Sequence, residues 1–162
     1  VININLTTTF ANFGNKTGSG GVATWTTTLS TGTWYHVVGV KNGTTAYLYV
    51  DGTQRASVSV SATLGSTAGT NFQVGAFPSA MSGGPFPGLI DEVSLYSTAL
   101  SSSDVSSIYN SGSPDSLNTY SPVHWWRMGD NDGGTGSTVT DIGSGGSDGT
   151  MTNQASFSTT VP

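Results

Sequence analysis

The stretch WYHVVGVKNGTTAYLYVDGTQ, residues 34–54, decides the fold class because it sets two turn signals between alternating apolar runs. Over 34–41, Trp34, His36 and Val38 alternate with Tyr35, Val37 and Gly39, the period of a strand with one face buried. Asn42-Gly43 accepts the positive φ angles of a type I′ turn and sends 46–50 back as the second arm of a hairpin. Asp51-Gly52 repeats that chemistry and returns 54–60 as the third strand of a meander.

Both flanks continue in the same style. VININL (1–6) places Ile2, Ile4 and Leu6 on one face and Asn3 and Asn5 on the other. NKTGSGG reads as a loop, and VATWTTT (22–28) reads as a strand by its Thr and Trp content. Further short runs at 72–77 and 89–96, separated by Gly, Ser and Pro, fit a sandwich rather than βαβ units. One helix is expected near 101–110, within ALSSSDVSSIYNSG (99–112). Ser101 caps it, Asp104 completes a capping box, Gly112 offers the left-handed exit, and Val105, Ile108 and Tyr109 share a face. Residues 113–122 read as a linker. Beyond it VHWWRM is a strand, followed by Gly- and Asp-rich loops and the brief runs STVTDI and GTMTN, a separate Trp/Gly/Asp-rich segment over 123–162.

Composition narrows the function classes. With charged residues at 8% and 23 glycines among abundant Ser and Thr, solubility rests on hydroxyls and amides rather than ions. The net charge is -5, and the four basic residues, Lys16, Lys41, Arg55 and Arg127, are scattered, so no patch exists for a nucleic-acid backbone. No run of about 18 apolar residues is present, which argues against membrane insertion by a helix. The opening VININLTTTF has neither a basic n-region nor an apolar h-region. The absence of cysteine excludes disulfides and thiolate metal sites.

The residues capable of chemistry are few. His36 lies mid-strand and reads as structural; His124 precedes a Trp pair; neither has a nucleophile-elbow Ser or Cys beside it. Glycoside hydrolysis needs two facing carboxyls about 5–10 Å apart. Asp91 and Glu92, as strand neighbours, point to opposite faces, so no catalytic residue is assigned and a non-enzyme is expected. Asp91 shares a face with Leu89, Val93 and Leu95 and therefore needs a partner: backbone amides, Arg55 or Lys41, or Ca²⁺. GDNDGG (129–134) begins like an EF-hand loop, but its twelfth position is Asp141 rather than Glu and no helices flank it, so a plain turn reading stands beside the metal one. Asp91, Asp130, Asp132 and Asp141 are the candidate metal ligands, with Ca²⁺ the candidate cofactor. Trp125, Trp126, Tyr47 and Tyr49 are the candidate glycan-binding aromatics, against the alternative that they are sandwich core.

GTWYHVVGVKNGTTAYLYVDGTQ, FPGLIDEVSLYSTALSSSDVSSIYNSG and DIGSGGSDGTMTN resemble the laminin G-like, concanavalin A-like jelly rolls of the LamG and pentraxin type. The W-x-H-V strand, Y-V-D-G turn, G-x-I-D-E-V strand and A-L-S helix of that family occur in order over 25–112. The resemblance implies an all-β antiparallel jelly-roll β-sandwich, with Ca²⁺ often held at its rim. On this reading 1–112 is a LamG-like portion whose N-terminal strands are missing, and 123–162 resembles the start of a second such unit. The alternative is that the late segment folds back to supply the missing strands. The succession of these parts is also similar to structural proteins of marine bacterial viruses. In function, the resemblance implies a noncatalytic structural or adhesion module of an extracellular assembly, such as a phage fibre or decoration protein. It would be located on a virion surface or outside cells, form a homo-oligomer, and contact neighbouring subunits or host-surface glycans. The competing reading is a carbohydrate-binding accessory module of a bacterial surface protein or secreted enzyme.

Overall fold

The computed structural model describes residues 2–7, 10–15, 21–63, 72–75, 86–113, 116–131, 133–152 and 155–160. The described chain is antiparallel β-structure with a single short α-helix. It divides into two compact units, one within Val1–Thr67 and Thr98–Tyr120, the other within Ala68–Ser97 and Ser121–Val161. The change from the first unit to the second at Tyr120/Ser121 lies within the 113–122 stretch, while Ala68–Ser97 groups with the later residues. Residues Leu117–Tyr120 form a 3₁₀ turn with Leu117 buried, so that stretch is anchored by an apolar side chain.

The first unit holds two three-stranded sheets. Strands β1 (Ile2–Leu6), β2 (Phe10–Asn15) and β3 (Val22–Thr26) form one, in that order. Strands β4 (Val37–Asn42), β5 (Thr45–Val50) and β6 (Thr53–Ser59) form the other, with β5 central. The meander of residues 34–54 is therefore present, although Trp34, Tyr35 and His36 precede the strand rather than belong to it. Alternation along β5 makes two packing surfaces. Ala46, Leu48 and Val50 close on Ala11, Phe13 and Ala23 of the facing sheet. Tyr49 instead packs with Val40 and with Val105 of α1 (Ser102–Tyr109), flanked by Tyr47, Val38 and Leu100. A strand covered on both faces loses its pattern of polar relief, which is why TAYLYV is almost wholly apolar.

The turns obey backbone sterics. Pairing of Val50 with Thr53 leaves Asp51-Gly52 as a two-residue loop, and both have positive φ (52° and 69°), the type I′ pattern expected. The other hairpin differs from expectation. Asn42 pairs with Thr45, so the loop is Gly43-Thr44, and only Gly43 takes positive φ (55°), the type II′ pattern. Between Leu48 and Tyr49 the β5–β6 register slips by one, leaving Arg55 as the extra residue, and its guanidinium lies 4.7 Å from the Trp25 ring centre.

The helix begins as its sequence requires: the Ser101 hydroxyl accepts from the Asp104 amide at 3.1 Å, and Asp104 accepts from the Ser101 amide at 2.9 Å. It ends two residues before the expected exit. Asn110, not Gly112, takes the left-handed C-cap (φ 43°), and a 3₁₀ turn carries the chain on to Gly112.

In the second unit β7 (Val93–Leu95) pairs with β8 (His124–Trp126), and β9 (Thr138–Val139) pairs with β10 (Gly149–Thr150). Two expected strands contract. Residues 72–75 of the 72–77 run are not strand, and 76–77 lie outside the described residues. The 89–96 run is strand only over 93–95, because Glu92 sits at φ 50° and a left-handed residue cannot continue the pleat.

Gly39 shows how closely the sheets of the first unit approach. Opposite Leu48 in the register, it lies where a Cβ would overlap the Phe13 ring. Gly39→Ala is therefore expected to destabilise the protein by about 1–3 kcal/mol, seen as a lowered urea midpoint with an unchanged slope.

Candidate functional site

Strand alternation on β8 sends Trp125 to one side and His124 and Trp126 to the other, and Arg127, just past the strand, joins Trp125 at Glu92. On the first side Glu92 is the centre. Its Oε2 accepts from the Trp125 indole at 2.6 Å, and its Oε1 accepts from Arg127 Nε at 2.9 Å. Arg127 then reaches Asp130 through Nη2 at 2.8 Å, and its guanidinium stands 5.5 Å from the Trp125 ring centre. The left-handed backbone of Glu92 makes this possible. It turns the side chain toward β8, and its own amide donates to Asp91 Oδ1 at 2.9 Å. Asp91 and Glu92 thus do not lie on a common strand as the alternation argument supposes. Burial pushes the Asp91 carboxyl above its ordinary range, partly offset by the Glu92 amide and reinforced by the Glu92 and Asp130 carboxylates.

On the other side the organising group is Asp141. Its side chain is fully buried, and its carboxylate accepts four hydrogen bonds. Oδ1 takes the amides of Trp125 (2.8 Å) and Gly143 (2.9 Å); Oδ2 takes the Ser147 amide (2.7 Å) and His124 Nδ1 (2.6 Å). Asp148 in turn accepts from the Asp141 amide at 2.9 Å. Residues 141–148 are thereby fastened to β8. Trp126 stacks on His124 (5.2 Å, 5°) and on Phe72 (5.6 Å, 16°), and its indole donates to Ser147 O.

The structure separates the aromatics singled out for glycan binding. Tyr47 and Tyr49 belong to the first unit and face α1, whereas Trp125 and Trp126 belong to the second. Tyr49, Trp125 and Trp126 are only 5%, 4% and 8% exposed, so they are core and not a stacking platform. Of the carboxylates chosen for Ca²⁺, Asp130 pairs with Arg127, Asp91 caps Glu92, and Asp132 lies outside the described residues. Asp141 already holds four N–H donors, a set suited to an anion rather than to oxygen coordination of a cation. Among the described residues no three His, Cys, Asp or Glu side chains form a group able to hold a metal.

His36, half-buried, donates its amide to Asp51 Oδ1 at 3.0 Å and stacks on Tyr109 at 5.9 Å. Burial lowers its basicity and the nearby Asp51 charge only partly restores it, so the ring is neutral at pH 7. In the same unit the Asp51-Gly52 turn and the C-terminal end of α1 border a polar hollow of about 460 Å³. The sequence reading missed it because its walls come from 51–53 and 106–111; the one local signal is the doubling of turn-forming Asp, Gly, Asn and Ser at both places.

The Asp141 carboxyl is raised by burial, but the His124 bond and the three amides outweigh this and hold it at about 2. With the folded value below the unfolded one, the group stabilises the fold fully above about pH 4. That contribution, on the order of 1–2 kcal/mol, is expected to disappear as pH falls through 2. Asp141→Asn, which turns an NH₂ toward N–H donors, is expected to cost about 2–4 kcal/mol at pH 7 and to flatten this acid limb in denaturant titrations.

No curated protein matches the chain. A solved structure of residues 221–444 of an S-layer domain-containing protein from Clostridium thermocellum ATCC 27405 is similar at 20% identity, with a TM-score of 0.44. The match covers 62% of this chain and 51% of that one, so the chain spans about half of its length. A laminin G family model, described as the Concanavalin A-like lectin/glucanases superfamily, matches residues 3–106, well over half of the chain. The two facing antiparallel sheets, the capped helix and this match together establish that the chain belongs to the concanavalin A-like, laminin G type superfamily.

Proposed function

We propose that the chain is a noncatalytic structural and adhesion module of an extracellular assembly, such as a virion fibre or decoration protein, contacting neighbouring subunits or surface glycans. The observation that carries the noncatalytic part is the state of Glu92. Both of its oxygens accept hydrogen bonds, one from an indole and one from a guanidinium, so the carboxylate is committed to an internal network of the protein's own donors. Asp141 is engaged on all sides in the same way. A chain with so few ions and so many hydroxyls suits an outer surface that resists nonspecific charge pairing. Homo-oligomerisation belongs to the same proposal, since adhesion through weak single sites is amplified by repetition.

The second reading is a carbohydrate-binding accessory module of a surface protein or secreted enzyme, and the polar hollow beside α1 favours it. Both readings deny hydrolysis. The protein is expected to release no reducing ends from a panel of β-glucans, xylans and galactans; turnover that Glu92→Gln abolishes would overturn the noncatalytic assignment. A glycan array run with and without Ca²⁺, together with sedimentation, separates the two readings: self-association without specific glycan retention favours the structural module, and specific retention by a monomer favours the accessory one.

A further inference from the structure

The two ends of α1 are fastened differently. Val105, near the start, is fully buried among apolar side chains. The far end meets the sheet through Tyr109, whose ring stacks on His36 at 5.9 Å and 18° and lies over Gly52, where a Cβ would stand 3.0 Å from Tyr109 Cδ1. Packing around this contact is open, because the polar hollow of about 460 Å³ lies between residues 51–53 and 106–111. His36 makes the contact at a cost. Its Nδ1 is buried without a hydrogen-bond partner among the described residues, and so forfeits the bonds that water would give it. Both of its main-chain groups are tied to Asp51: the amide donates to Oδ1 at 3.0 Å, and the carbonyl accepts from the Asp51 amide at 2.9 Å. The nearby carboxylate is thereby held on the main-chain side of His36, and Nδ1 goes without it.

We propose that the His36–Tyr109 stack is an acid-released latch, in which a proton taken up by His36 frees the C-terminal end of α1 from the sheet. The latch does not depend on which partner the module contacts. The groups facing the ring are Asp51, from the turn between β5 and β6, and Tyr109, from α1. Burial opposes a proton on the ring more strongly than the Asp51 charge invites one, so its basicity lies below the ordinary value of 6.5. The negative end of the helix dipole acts in the same sense as Asp51. With the main chain of His36 fixed, the cation reaches water by turning out of the stack, and Tyr109 loses the surface it rests on. A released ring recovers its ordinary basicity, so the latch is fully closed above pH 6.5 and loosens as pH falls below that value. This range lies above the acid limb of Asp141, which belongs to the other unit. Release parts the two walls of the hollow and leaves Val105 as the anchor of the helix.

Amide hydrogen exchange of the intact chain at about pH 7.5 and about pH 5.5, corrected for the intrinsic pH dependence, tests the latch. Asn110, whose amide donates to Ser106 O, reports the far end; Val105, whose amide donates to Ser101 O, reports the anchored part. Linkage caps the effect of one such group at about tenfold per pH unit, so protection of Asn110 is expected to fall several-fold, up to about 10-fold, while that of Val105 holds. The His36 Cε1–H resonance should titrate with a midpoint below 6.5, and the Tyr109 ring resonances should follow the same midpoint. His36→Phe keeps a ring in the stack and removes the proton site, so its Asn110 protection should not change with pH. The proposal is overturned if Asn110 is unprotected at the higher pH, if its protection is the same at both, if His36 titrates at or above its ordinary value, or if His36→Phe retains the loss. Should His36→Phe fail to fold, the titrations of the parent chain decide: Tyr109 shifts that do not follow His36 overturn the latch. An equal fall at Val105 and Asn110 would mark general acid loosening of the unit and overturn it as well.

Discussion

Strand β5 is clamped from two directions, and the first unit depends on that clamp. Leu48 and Val50, each at most 1% exposed, are pressed against the sheet containing Ala11, Phe13 and Ala23, while Tyr49 is pressed against Val40 and Val105. Burying side chains of this size is worth about 1.5–3 kcal/mol each, so the central strand concentrates much of the apolar stabilisation. Everything else in the unit is arranged to let the clamp close. Gly39 clears space for a phenyl ring, two tight turns return the chain in register, and a capped helix supplies Val105.

The second unit is held by a different kind of force. Its strands are two or three residues long, too short to hold a sheet by ladder bonds alone. Two carboxylates make up the difference. Asp141 gathers four N–H donors from β8 and from its own loop, and Glu92 ties an indole to a guanidinium. Charged acceptors with several donors bind more strongly than neutral ones, and a buried carboxylate is tolerable only when so satisfied. Both carboxylates are thereby turned inward onto the protein's own donors.

Local chemistry was legible in the sequence wherever it sufficed. Residues 37–59 read as a meander because apolar alternation and Asp51-Gly52 act over neighbouring positions, and Ser101 with Asp104 announced the helix start for the same reason. The misreadings came from single backbone angles. Nothing in LIDEVSL reveals that Glu92 is left-handed, so alternation read from residue 89 starts four residues ahead of the strand and gives Asp91 strand neighbours it lacks. The hub at Asp141 is not legible in the sequence because three of its four donors are main-chain amides, identical in every sequence, and the fourth, His124, lies 17 residues away. Trp125 and Trp126 drew attention as sugar platforms, but burial depends on Phe72, Glu92 and Ser147 arriving from distant segments.

The described cations are each fixed in place. Lys41 is held by the carbonyls of Gly43 and Ala62 at 2.7 and 2.8 Å, Arg55 lies over Trp25, and Arg127 is gripped between Glu92 and Asp130. Lys41 and Arg55 thus rest on neutral partners, whose attraction weakens little as dissolved electrolyte shortens the Debye length from about 10 Å toward 3 Å. The described part of the first unit, built this way, should pass from fresh water to brine with little change, needing no counter-ion cloud around these two cations.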